Sequence, residues 1–193
     1  MTLTATGTRE QVGVYGMRGW TTRKQIRRIL QPFMDARMRT DSPSEALHSF
    51  QTYRDLDARG AQLLLSTLPL ANLSERQNLA PTCEAMLKAC AVGRGAVRVS
   101  GYAVGPARTD ERVTVDGLIY QSDAECILCT YPSSAVENPQ KGSKGCAHLW
   151  RRFRSELQLQ SALDSPDEFQ RVRFETVGRP GTSQKNAWWL WWD

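Results

Sequence analysis

The apolar positions of this chain change period near its midpoint. From Thr21 onward, Ile26, Ile29, Leu30, Phe33 and Met34 recur at helical spacing, one face of a helix that Thr21 or Thr22 can cap. Pro32 lacks an amide hydrogen, so a kink or split is expected near Gln31. Ahead of that helix, Val12–Tyr15 reads as a short strand leading through Gly16 and Gly19 to Trp20. The stretch Ser44–Tyr53, started by Ser42-Pro43, predicts a second helix, and Leu56–Leu68, which stops before Pro69, a third. Pro81 then opens a helix through Cys83, Met86, Leu87 and Cys90, which Gly93 and Gly95 end.

Beyond Gly95 the pattern reads mainly as strand. Val97, Val99 and Tyr102–Val104 predict one strand, Gly105-Pro106 a turn, and Val113, Val115, Leu118 and Tyr120 a second strand with a bulge at Gly117. Ala124–Tyr131 is expected to form a third strand, and Pro132–Gly145 a long loop. Leu149, Trp150, Phe153 and Leu157 return to helical spacing, with Arg151, Arg152 and Arg154 facing outward. Phe169–Val177 and Ala187–Trp192 read as two strands joined through Gly178–Gly181. The expectation is one α+β domain over 1–193. A mainly helical portion (1–93) packs on an antiparallel sheet (94–193) that one helix interrupts and a Trp-rich strand completes.

That last strand is the strongest single constraint. Extended geometry puts Trp188, Leu190 and Trp192 on one face and Trp189 and Trp191 on the other. Each indole offers roughly 150–250 Å² for burial, so a strand apolar on both sides belongs inside the fold or in an interface. All four tryptophans are accordingly candidate interface residues for self-association or a partner.

Composition narrows the classes. With 40% hydrophobic and 23% charged residues the chain reads as globular, and 193 residues suffice to bury a core. No apolar run is long enough to span a bilayer, and Met1–Arg9 has no signal-peptide stretch, so an intracellular location, cytoplasm or nucleus, is expected. Five cysteines, an odd number, also argue against a secreted disulfide framework. The net charge of +5 is unevenly placed. Residues 1–60 carry ten Lys/Arg against six Asp/Glu, residues 61–140 six against eight, and residues 141–193 nine against six.

Two basic segments therefore flank a mildly acidic middle. Arg23 and Arg27, like Lys24 and Arg28, lie one turn apart beside the first apolar stripe, with Arg18, Arg37 and Arg39 nearby. Lys141 and Lys144 precede the helix that carries Arg151, Arg152 and Arg154. Either group makes a candidate phosphate-contacting surface, and either equally suits a solvated helix face. Cys126 and Cys129, followed by Cys146 and His148, have a spacing that zinc coordination can use. Two core cysteines and an unrelated histidine account for the same residues. Ile127 and Leu128 lie where a zinc knuckle usually has glycine or polar turn residues.

Enzymatic motifs are missing. There is no G-x-x-x-x-G-K-[S/T], G-x-S-x-G or H-E-x-x-H, and only His48 and His148 offer imidazole bases. Asp110, Glu111, Asp116, Asp123 and Glu125 read as the polar face of alternating strands. The leading expectation is a non-enzymatic intracellular protein that binds nucleic acid through its Arg/Lys patches, with or without a structural zinc. The alternative is a self-associating assembly protein. The order of strand, basic helices, sheet and terminal hairpin resembles that of rhabdovirus matrix proteins, which implies binding to nucleocapsid or peripheral contact with membrane. The late-domain P-P-x-Y motif is absent and no residue carries over.

Overall fold

A computed structural model of the chain describes residues 12–34, 50–125, 144–174 and 185–193. It opens with a small hairpin, β1 (Val12–Gly13) and β2 (Gly16–Met17), then α1 (Trp20–Arg23), α2 (Ile26–Leu30) and a 3-10 turn over Gln31–Phe33. There follow β3 (Phe50–Leu56), α3 (Ala58–Thr67), α4 (Leu70–Leu73), α5 (Cys83–Val92), β4 (Val97–Val104) and β5 (Arg112–Gln121). The helix α6 (Lys144–Glu156) and the strands β6 (Glu168–Phe174) and β7 (Lys185–Trp191) complete it. The α+β class is as expected. β3 to β7 form one five-stranded antiparallel sheet in the order β3-β4-β5-β7-β6, so the Trp-rich strand is internal.

Packing follows the apolar stripes. α5 lies on β4 and β5, α3 on α5, and α2 on α3. α6 covers the other end of the same face. Phe153 meets Tyr120 edge-on at 5.0 Å and Trp188 at 6.1 Å, and Trp150 meets Trp192 at 5.6 Å. Trp188, Leu190 and Trp192 are buried there, as the alternation predicts, while Trp189 and Trp191 sit half-buried on the opposite face. Caps agree with local chemistry. Asp57 accepts from Gly60 N–H at 2.8 Å, Thr82 accepts from Ala85 N–H at 3.3 Å, and Gly93 closes α5.

Four expectations are modified by the structure. Phe50–Tyr53 is strand rather than the end of a helix, because Gln51 and Tyr53 pair opposite Ala103 and Gly101 of β4 and turn inward together. Tertiary pairing here outweighs local propensity. The first helix breaks at Gln31, as expected, where α2 gives way to the 3-10 turn that holds Pro32. It breaks again about two turns earlier, at Gln25, which adopts a left-handed φ of 55°. Ala124 and Glu125 lie outside any strand, and the rest of that stretch, to Tyr131, lies beyond the described residues. The β5 bulge falls one residue before its expected place. Gly101 pairs with Val115 and Ser100 with Gly117, leaving Asp116 as the extra residue.

Candidate functional site

The end of the sheet nearest α2 holds a cleft of about 480 Å³. Ile26, Met34 and Val104 give it apolar wall, while Thr21, Gln25, Gln31 and Gln51 give it hydrogen-bonding groups. Arg27 and Arg28, both exposed, stand on its rim, and its described lining contains no carboxylate. Gln51 is 6% exposed, and its Nε2 has no hydrogen-bond partner among the described residues. An amide buried without a partner costs on the order of 1–3 kcal/mol, which a ligand acceptor can recover.

The cleft's rim is held in place from a distance. α1 has no side-chain cap of its own. Glu111, 1% exposed, supplies one: it accepts from Gly19 N–H at 2.6 Å, from Thr21 N–H at 2.7 Å and from the Thr21 hydroxyl at 2.5 Å. A carboxylate at a helix N-terminus satisfies free N–H groups and favours the helix dipole. Sequence reading placed Glu111 on a strand's polar face and missed this role.

The predicted cationic residues divide by what they already hold. Arg23 donates to the carbonyls of Met17 and Arg18, at 2.7 and 2.8 Å, and Lys24 to that of Thr67 at 2.7 Å. Both tie α1 to its neighbours. Arg152 pairs with Glu156 at 2.7 Å, and Arg154 donates to the carbonyls of Gln160 and Ala162. Arg151 is exposed and donates to the Ala147 carbonyl at 3.4 Å. Lys141 lies outside the described residues, as does the side chain of Lys144. α2 packs on α3 at the β3 end, whereas α6 packs on β5, β7 and β6, so the two basic segments occupy opposite ends of the sheet.

The zinc candidates are only partly in view. Cys126 and Cys129 lie outside the described residues, while Cys146 and His148 fall within the first turn and a half of α6. The side chain of Cys146 also lies outside the described residues. Among the described residues no group of three or more His, Cys, Asp or Glu is placed to hold a metal. Cys83 and Cys90 are buried free thiols. Burial raises both, Cys90 to about 12, which leaves them unreactive.

The carboxylates in and beside β5 are not one polar face. Asp110 is held well below the usual range by hydrogen bonds from Arg108 and Arg112. Glu111 is the remote cap. Asp116 is half-buried, and desolvation pushes it up to about 6. Of the tryptophans, Trp188 and Trp192 belong to the core, with their indole N–H groups donating to the carbonyls of Ala124 and Asp164. Only Trp189 and Trp191 remain for a partner.

Fold and cleft together define a small antiparallel α+β protein with a recess at one end of its sheet that is rimmed by arginine and has no carboxylate among its described lining residues. Comparison with protein-family models, curated proteins and solved structures finds no match. No helix among the described residues is long and apolar enough to cross a membrane.

Proposed function

We propose that the protein binds single-stranded nucleic acid at the α1–α2 cleft, without catalysing a reaction on it. The observation that carries this reading is the pairing of Arg27 and Arg28 with a recess that holds the Gln51 amide, without a partner among the described residues, and no described carboxylate. The arginines would contact phosphates, and an unpaired base, flat and hydrogen-bonding at its edge, would enter beside Gln51. A volume of about 480 Å³ lies within the range of about 300–1,000 Å³ common for small-ligand sites. Compared with the expectation from sequence, the proposed surface is narrower. The α6 arginines are engaged with Glu156 and with backbone carbonyls, so they are not assigned to it.

Fluorescence anisotropy with short single-stranded RNA, single-stranded DNA and duplex DNA at low salt tests the reading. Binding of a single strand is expected, weakened about tenfold or more by Arg27→Ala/Arg28→Ala. Gln51→Leu is expected to weaken single-strand binding and leave weak duplex binding unchanged. Absence of binding by the wild-type protein, or equal binding by the double variant, overturns the proposal.

A further inference from the structure

Two irregularities of the sheet meet at one point. β3 carries an extra residue between Tyr53 and Leu56, β5 carries Asp116 as its extra residue, and both lie beside Ser100–Gly101 of β4. Asp55 takes a φ of 55°, and its N–H donates to Ser100 Oγ at 3.3 Å. A bulge bends its strand and re-aims the side chain it carries. On the sheet face opposite α5 and α6, the result is a recess of about 430 Å³ whose lining includes Arg54, Ser100, Asp116, Ile119, Trp189 and Trp191.

The two indoles flank the bulge. Trp189 lies against Gly117, where an added β-carbon would come within 2.5 Å of the ring, and its N–H donates to Glu168 Oε2 at 3.1 Å. Trp191 is the ladder partner of Gly117. Asp116, next along the chain, bonds to its own backbone N–H, and among the described residues no cationic side chain draws its pKa down. Arg54 lines the same recess without doing so. A partly desolvated carboxylate with no counter-cation is costly, and indole faces attract positive charge. An anion would meet Asp116 and Asp55; a neutral apolar group would leave Asp116 uncompensated.

We propose that this recess binds an alkylammonium group, seated on Trp189 and Trp191 with its charge against the Asp116 carboxylate. The shared chemistry is a substituted ammonium, supplied by a free small amine or by a lysine side chain. This site is independent of the nucleic-acid cleft.

The test is titration of the ¹⁵N-labelled full chain at pH 8 with choline, with Nα-acetyl-lysine amide, and with the uncharged isostere 3,3-dimethylbutan-1-ol. The indole N–H signals of Trp189 and Trp191 are expected to move with one or both cations. Those of Trp20, Trp188 and Trp192, which are buried, serve as internal references. Response to choline identifies a free amine, and response to the lysine derivative a chain-borne one. Asp116→Asn should weaken binding about tenfold or more with the indole signals otherwise in place, and Arg54→Ala should tighten it. If the uncharged isostere binds as well as choline, if neither cation moves the two signals, or if a folded Asp116→Asn binds like wild type, the proposal is overturned.

Discussion

The Tyr53 hydroxyl donates to the Thr114 carbonyl at 2.9 Å, reaching over Gly101 and tying β3 to β5 across the strand between them. The crossing exists only because position 101 has no side chain. A β-carbon there would stand 1.9 Å from the Thr114 oxygen and 2.9 Å from the Tyr53 hydroxyl. The clash with backbone cannot be relieved by a rotamer change. Gly101→Ala is therefore expected to lower stability by at least about 2–3 kcal/mol in urea unfolding. Tyr53→Phe removes only the hydroxyl and should cost about 1–2 kcal/mol. A Gly101→Ala protein as stable as wild type contradicts this account of the double bulge.

Glu111 couples the sheet to the cleft. Its carboxylate is the N-terminal cap of α1, and α1 leads directly into the arginines of α2. Glu111→Ala leaves three donors without their acceptor and should cost about 2–4 kcal/mol, whereas Glu111→Gln keeps an acceptor and should cost less. Trp20, buried at the start of α1, provides the local fluorescence signal. If the cap positions the cleft, nucleic-acid affinity should fall in Glu111→Ala under conditions where the protein is still folded.

How much of this was legible in the sequence depended on how locally each feature is encoded. α6 and β7 were readable because Trp150, Phe153, Trp188 and Trp192 follow their element's own period and bury along it. α5 was readable from its apolar spacing and from Gly93 at its end, although Thr82 caps it and Pro81, expected in its first turn, lies one residue before that cap. β3 was not, since its bulge at Arg54–Asp55 breaks the alternation and its inward Gln51 is polar. Glu111 and Asp116 were also opaque. One takes its meaning from Thr21, 90 positions away, and the other from a register shift. Helical spacing places Lys24 in a candidate phosphate-contacting group but carries no sign that its amine reaches the Thr67 carbonyl.

Asp116 should give stability a specific pH dependence. Desolvation raises its pKa from 3.8 to about 6, so the folded chain holds this proton more tightly than the unfolded chain does. Its contribution therefore favours folding at low pH and is lost as pH rises from about 4 through about 6. Asp116→Asn removes the charge that must be desolvated. The variant should match wild type near pH 4 and exceed it at pH 8 by on the order of 1–2 kcal/mol, taking each pKa unit as about 1.4 kcal/mol and discounting for partial exposure. Denaturant midpoints of the pair across this range check it, and the comparison cancels titrations common to both, including that of Asp110. A constant difference at every pH would count against the assignment.

The two ends of the sheet should differ in how salt acts on them. Each phosphate contact to a single strand steepens the fall of log affinity with log salt by about 0.7. Losing Arg27 and Arg28, both exposed on α2, should thus flatten that slope by about 1.4. Arg152→Ala/Arg154→Ala should behave in the opposite way. Arg154 secures the Gln160 and Ala162 carbonyls and Arg152 holds Glu156, so stability drops while the salt slope stays that of wild type. A slope that flattens equally in both double variants would place α6 in the contact and make the binding surface span both ends. A slope unchanged in Arg27→Ala/Arg28→Ala would remove α2 from it.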